Sequence, residues 1–260
     1  MSAFTPRQVW IGLAVLFMCL VPYTLGWAWG WWKFAGASTG VVLLWRWARP
    51  EGFTADLGLR VRQSDFALAL SSLLVVGIGA SCLIPSILRQ HGYIRGPEDI
   101  AWMFLATPFQ TLNEEMVFRA LLLTVLGRLL KARLLLSAAV AGFFALLHFA
   151  LYRFGAPHTT LSAQALTTLF LVGFGLNELF MATGSIAGPW AIHCGWNLTR
   201  FGNGWVGQFT PGALPQGADF NLIEGNPWVI AFAVALALAA SLARFRLAAH
   251  PVGANAKAVP

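Results

Sequence analysis

The sequence predicts an all-α, polytopic integral membrane protein in which about eight transmembrane helices enclose a polar cavity inside the bilayer. Its 260 residues are 58% hydrophobic and only 10% charged, whereas soluble domains carry about 25% charged residues. Apolar runs long enough to cross a bilayer recur along the chain. A few carboxylates and imidazoles lie inside those runs, and an ionisable side chain at membrane depth indicates a functional site.

A transmembrane helix needs about 20 mainly apolar residues, and this criterion gives the order of the spans. The second run is short and contains Arg46, so a total of about seven spans is the alternative. Most Lys and Arg side chains outside the spans fall on the side that holds both termini, which predicts cytoplasmic termini. The candidate spans are 9–30, 34–48, 66–88, 100–127, 134–152, 161–182, 186–202 and 226–247.

These spans divide the chain into three parts. Residues 1–98 hold the N-terminal transmembrane helices and a basic cytoplasmic loop, and residues 99–202 form a helical core. Residues 203–260 hold an extracytoplasmic loop rich in Gly and Pro, the last transmembrane helix and a disordered tail. The basic residues are scattered between apolar runs, so the expected partner is the lipid bilayer and not a nucleic acid. The compact basic chain indicates a bacterial plasma membrane.

Two adjacent carboxylates, Glu114 and Glu115, lie inside the fourth apolar run. On a helix, Glu115 and Arg119 are one turn apart and share a face, so they are expected to form an ion pair. Glu114 points about 100° away from Glu115. One carboxylate is then held by the arginine while its neighbour faces elsewhere, where it could act as a general base. A purely structural ion pair is the alternative interpretation.

Two further patterns place imidazoles in later spans. Phe144 precedes His148 by one turn on the same face. His148 could share a water molecule with a carboxylate, bind a metal ion or hydrogen-bond to a backbone carbonyl. His193 and Asn197 are also one turn apart, and both can donate hydrogen bonds to an oxyanion.

Two polar positions near the end of the sixth span have simpler interpretations. Ser185, in the turn Thr183-Gly184-Ser185, is expected to cap the helix that carries His193, since no G-x-S-x-G nucleophile motif surrounds it. Glu178 is expected near a helix end close to water, with a cavity-lining position as the alternative.

The three patterns also occur in an order typical of a known family. Glu-Glu-x-x-x-Arg from residue 114, Phe-x-x-x-His from residue 144 and His-x-x-x-Asn from residue 193 together resemble the CPBP family. These are the CAAX-protease and bacteriocin-processing membrane proteins, also called Abi or Rce1-like. The resemblance covers about residues 99–202, and the turn at 183–185 is similar too. Leu57-Gly58-Leu59-Arg60 resembles the family more weakly.

The resemblance implies an intramembrane endopeptidase that cleaves a membrane-associated protein or peptide. In that family the site lies in a cavity within the bilayer, which agrees with the roles assigned above from charge and spacing. By resemblance, Glu114 and His148 would hold and activate the attacking water, and His193 and Asn197 would stabilise the oxyanion. Glu115, Arg119 and Phe144 would support and orient these groups.

The family has been described both as glutamate-type and as metal-dependent. The absence of H-E-x-x-H and H-x-x-E-H favours chemistry without a cofactor; a divalent metal such as zinc on Glu114, His148 and His193 is the alternative. A catalytically silent membrane scaffold or immunity protein, or a proton-coupled transporter, would also retain buried polar groups. The residues do not choose among prenylated CAAX tails, bacteriocin-type peptides and C-terminal sorting signals as substrates.

Overall fold

The structure, a computed structural model, describes residues 32–48, 57–59, 92–94, 96–155, 161–201, 207–209 and 224–249, with the single positions 10, 14, 17 and 54. The spans expected at 66–88 and, almost wholly, at 9–30 lie outside the described residues, as does the tail from 250. Within the described ranges the elements are α1 (Trp32–Ala48), β1 (Gly92–Ile94), α2 (Pro97–Glu115), a π-helical segment (Met116–Leu123), α3 (Thr124–Leu129), α4 (Arg133–Gly155), α5 (Ala163–Thr183), α6 (Ala187–Phe201), β2 (Gly207–Phe209) and α7 (Pro227–Ala249).

The helical prediction is confirmed, with one addition. Helix α2, the π-helical segment and α3 follow one another without a break, where the sequence predicts a single span. The addition is a short antiparallel ribbon in which Gly92 of β1 pairs with Phe209 of β2. Among the described residues, three helices are long and apolar enough to cross a membrane: Arg133–Ala150, Ala163–Thr183 and Pro227–Arg246.

Helix α5 lies at the centre of the described helices. It packs against α4 and α7 and also contacts α6 and the π-helical segment. Two of its glycines allow this close packing. A Cβ on Gly173 would lie 3.1 Å from Phe144 Cδ1 of α4, and one on Gly175 would lie 3.0 Å from Leu236 Cγ of α7. Small residues let helix backbones approach each other closely, which is a main source of helix association in membranes.

Helix α7 runs parallel to α5, and α6 runs antiparallel to it. Along α5, Thr168 donates a hydrogen bond to the backbone oxygen of Glu224, just before α7 begins. Further along, Gly175 lies against Ala237 of α7. Contacts therefore advance along both helices together, so α5 and α7 run parallel. Helix α6 follows α5 after the short turn Thr183-Gly184-Ser185 and runs back along it.

The segment after that turn forms a backbone hydrogen bond with Gly58, which belongs to the N-terminal part of the chain. The backbone N–H of Ile186 donates to the carbonyl oxygen of Gly58 at 2.8 Å. Gly58 and Gly184 have φ angles of 63° and 62°, a left-handed conformation that favours glycine. The Ser185 hydroxyl accepts a hydrogen bond from Ala187 N–H at 3.2 Å, as expected of a residue that caps α6. The junction fixes where α6, which carries His193, begins.

Candidate active site

Glu115 and Arg119 form a buried ion pair, as their spacing predicts. Arg119 Nη1 donates to Glu115 Oε1 at 2.9 Å, and both side chains are 0% exposed. Arg119 lies in the π-helical segment that begins directly after Glu115, and short π-helical turns are frequent at functional sites. Arg119 Nη2 also donates to the carbonyl oxygen of Gly173 at 3.3 Å. The ion pair is therefore attached to the central helix α5.

Two aromatic rings complete the surroundings of the guanidinium group. The guanidinium carbon of Arg119 lies 5.8 Å from the ring centroid of Phe118 and 5.2 Å from that of Phe144. A cation within about 6 Å of a ring centroid is attracted by the ring. The two rings touch each other edge to face, with centroids 5.0 Å apart. Arg119 is thus fixed both by hydrogen bonds and by packing against aromatic rings.

His193 links the two glutamates. Its Nδ1 lies 2.6 Å from Glu115 Oε1, and its Nε2 lies 3.6 Å from Glu114 Oε2. The His193 side chain is only 4% exposed. Because a carboxylate that accepts from one ring nitrogen fixes the ring orientation, Glu115 turns Nε2 of His193 toward Glu114. Four side chains, ordered Arg119, Glu115, His193 and Glu114, form a continuous buried polar chain between α2, the π-helical segment and α6.

The Phe144 ring contacts both His148 and His193. The centroid of the Phe144 ring lies 4.4 Å from that of His148 and 6.0 Å from that of His193. His148 Nδ1 is 2.9 Å from the carbonyl oxygen of Phe144, so the backbone hydrogen bond, one of the expected alternatives, is present. Nε2 lies on the opposite side of the ring. Asn197 follows His193 by one turn on α6 and is half-buried.

Two side chains outside the three motifs also border the site. Gln110 Nε2 lies 3.5 Å from Glu114 Oε1, one turn earlier on α2. Trp190 Nε1 donates to the carbonyl oxygen of Pro108 at 2.8 Å and so joins α6 to α2. The place of Gln110 beside Glu114 is predictable from the sequence, because side chains four residues apart on a helix share a face.

Glu178 does not lie near water, and that expectation is wrong. The side chain is 0% exposed and forms an ion pair with Arg244 of α7. Helix α7 covers the face of α5 on which Glu178 lies, and a single sequence does not show which helices will be neighbours. Arg244, inside the last apolar run, is itself an intramembrane charge and therefore a signal in the sequence. Its place near the end of that run makes it resemble the loop residues that set the orientation.

The arrangement of potential metal ligands bears on the alternative of a metal-dependent reaction. Among the described residues, no three His, Cys, Asp or Glu side chains come together as the ligands of one ion would. The alternative triplet of Glu114, His148 and His193 is included in that statement. Zinc sites in enzymes use three protein ligands and an open position.

Comparison with known proteins agrees with the motifs. Residues 96–199 match a family model described as type II CAAX prenyl endopeptidase Rce1-like. The matched region includes all seven residues of the predicted site and confirms the resemblance to the CPBP/CAAX protease family, a family of membrane peptide hydrolases. No curated protein and no solved structure matches the chain.

Proposed function

We propose that this chain is an intramembrane endopeptidase that hydrolyses a peptide bond of a membrane-associated protein or peptide. The match of residues 96–199 to an endopeptidase family supports the reaction class. The observation that carries the proposal is the buried chain from Arg119 through Glu115 and His193 to Glu114. An ion pair alone explains Glu115 and Arg119. It does not explain a second carboxylate turned toward the other nitrogen of the same imidazole.

The proposed reaction begins with Glu114 as general base. Glu114, together with His148, holds a water molecule and takes one of its protons as the water oxygen attacks the scissile carbonyl carbon. The carbonyl oxygen becomes an oxyanion, and the Asn197 amide and His193 Nε2–H donate hydrogen bonds to it. The carbon–nitrogen bond then breaks, and Glu114 returns the proton to the leaving amine.

Glu115 and Arg119 are proposed to hold His193 in place for this step. With Nδ1–H donated to Glu115, the ring presents Nε2 to the side where Glu114 lies. The proposed role requires a proton on both ring nitrogens of His193, so that Nδ1–H donates to Glu115 while Nε2–H donates to the oxyanion. Preorganised donors of this kind contribute about 3–4 kcal/mol each to lowering the barrier.

The proposed chemistry uses no metal ion. The absence of H-E-x-x-H and H-x-x-E-H favours this choice, and the test is direct. Purified protein dialysed against a strong chelator should keep its turnover number, and metal analysis should find less than one zinc per chain. Loss of turnover that zinc alone restores would contradict the proposal.

The proposed membrane topology has about eight spans with both termini in the cytoplasm and the site in a polar cavity. Three apolar helices and the family support a membrane location. A CAAX-type prenylated tail is the substrate class that the name of the matched family suggests, and an unprenylated peptide or a C-terminal sorting signal would suit the same groups.

Comparative membrane proteomics tests the function even while the substrate is unidentified. Cells that carry Glu114→Ala should accumulate at least one uncleaved membrane-associated protein that wild-type cells process. The matched control is Glu98→Ala, an exposed acid on the same helix, which should give the wild-type profile. Identical profiles for Glu114→Ala and wild type would contradict the endopeptidase proposal and favour a catalytically silent scaffold.

A further inference from the structure

Helix α7 lies outside residues 96–199, which match the family model, but it packs tightly against α5. The described hydrophobic residues of α7 that are buried are all small, Ala233, Ala237 and Ala240, and Leu236 lies beside Ala237 against Gly175 of α5. Opposite them, a Cβ on Gly175 would lie 3.2 Å from the backbone nitrogen of Ala237. Lipid chains are as apolar as leucine, so apolar burial does not drive this contact in a bilayer. Close packing and polar contacts must hold α7 instead.

The same face of α7 ends in a charged residue. Arg244 continues the series 233, 237 and 240 at helical spacing, and its side chain forms an ion pair with Glu178 of α5. Glu178 is 0% exposed, and Arg244 is 8% exposed. Either charge alone at this depth would be costly, whereas each neutralises the other. Arg246, two residues later on α7, is exposed.

Helix α7 also touches the helix that carries two of the proposed catalytic residues. The ring of Phe232 lies 5.8 Å, centroid to centroid, from the indole of Trp196 on α6. Trp196 immediately precedes Asn197, and it packs with Leu176 and Ala233 in one apolar cluster. The position of α7 therefore bears on the placement of Asn197.

We infer that the Glu178–Arg244 ion pair locks α7 against α5 and, through the Phe232–Trp196 contact, positions Asn197 and His193 for the reaction. Glu178 and Arg244 are positioning residues, since they act through other side chains. This inference rests on the proposed endopeptidase function for its catalytic readout. Its structural part, the locking of α7 by the ion pair, stands independently of that function.

The catalytic part is tested by measuring kcat and KM of charge variants in proteoliposomes, on a substrate found by the proteomic comparison. Glu178→Gln and Arg244→Gln should each lower kcat at least tenfold while KM changes less than threefold, because misplaced oxyanion donors affect the transition state more than substrate binding. The exchange Glu178→Arg with Arg244→Glu should return kcat to within threefold of wild type. Arg246→Gln should behave as wild type. Single variants with wild-type kcat, or an exchange no better than the single variants, would overturn the inference.

The structural part is tested by cross-linking in membranes, which needs no substrate. Val172 and Ala233 belong to one buried cluster between α5 and α7, so Val172→Cys with Ala233→Cys should form a disulfide in a chain whose native cysteines are replaced by alanine. Arg244→Gln should lower the yield at least threefold, and the charge exchange should restore it. An unchanged yield with Arg244→Gln would overturn the locking role.

The two assays separate this inference from the proposed function. If Arg244→Gln lowers the cross-linking yield but the wild-type protein cleaves no substrate, the locking role stands and the endopeptidase proposal fails. If the wild-type protein cleaves its substrate but Arg244→Gln leaves the cross-linking yield unchanged, the endopeptidase proposal stands and the locking role fails.

Discussion

Replacement of Arg119 by methionine should strongly destabilise the protein, because it leaves the carboxylate of Glu115 buried without its cation. Both side chains are 0% exposed and their atoms are 2.9 Å apart. Removal of one partner of a buried ion pair costs about 3–5 kcal/mol of free energy of unfolding. Arg119→Lys keeps the charge but lacks the planar fork that also reaches Gly173. We expect it to cost about 1–3 kcal/mol, the range for a buried acceptor that loses its donor.

The measurement is reversible unfolding in mixed micelles, followed by circular dichroism as the fraction of denaturing detergent rises. The double variant Glu115→Gln, Arg119→Met should be more stable than Arg119→Met alone, with a coupling energy of about 0.5–3 kcal/mol. Arg133→Gln, an exposed arginine at the start of α4, should stay within about 0.5 kcal/mol of wild type. Equal stability of Arg119→Met and Arg133→Gln would refute the reasoning, since it would mean that water reaches Glu115.

Four further substitutions and one control test the packing around the site by the same unfolding assay. Gly184→Ala should cost about 1–2 kcal/mol for its left-handed backbone, and Gly58→Ala should cost more, because its Cβ would also lie 2.8 Å from the ring of Phe180; equal costs would contradict the close contact. Trp190→Phe should cost about 1 kcal/mol through loss of the bond to the Pro108 carbonyl, and a neutral result would contradict that bond. Thr168→Val should cost a similar amount through loss of its bond at the start of α7, whereas the exposed Thr167→Val should not.

The parts of the fold that depend on local patterns are predictable from sequence. The runs at 134–152 and 161–182 correspond to α4 and α5 to within a few residues, because hydropathy and the need for about 20 residues per span set these limits. The Glu115–Arg119 pair follows from i,i+4 spacing in the same way. Ser185 as a cap follows from the turn that precedes α6.

The contacts between distant helices are not predictable from one sequence. The sequence predicts that Glu178 lies near water, because the turn that ends its helix follows a few residues later. In the structure α7, which begins about 50 residues further along the chain, covers Glu178. The π-helical segment is not predicted either, since the hydrophobic pattern that marks a helix does not separate a π-helix from an α-helix. Tertiary contacts such as that of Arg119 with Gly173 decide this local geometry.

The orientation of His193 is the clearest case in which the structure adds chemistry to the motif. The spacing of His193 and Asn197 indicates two donors on one face. It does not show that Nδ1 is already committed to Glu115 and that Nε2 faces Glu114. The motif therefore names the candidate residues, and the packing of α6 against α2 places the two ring nitrogens beside different partners.

Single-turnover cleavage by Glu114→Gln in proteoliposomes tests the central claim most directly. A substrate found by proteomics is mixed with wild type, Glu114→Gln and the exposed control Glu98→Gln, and the rate of product formation is followed. The account predicts that Glu114→Gln binds the substrate but cleaves it at least about a hundredfold more slowly, while Glu98→Gln matches wild type. Cleavage by Glu114→Gln at the wild-type rate would contradict the assignment of this buried carboxylate as the general base.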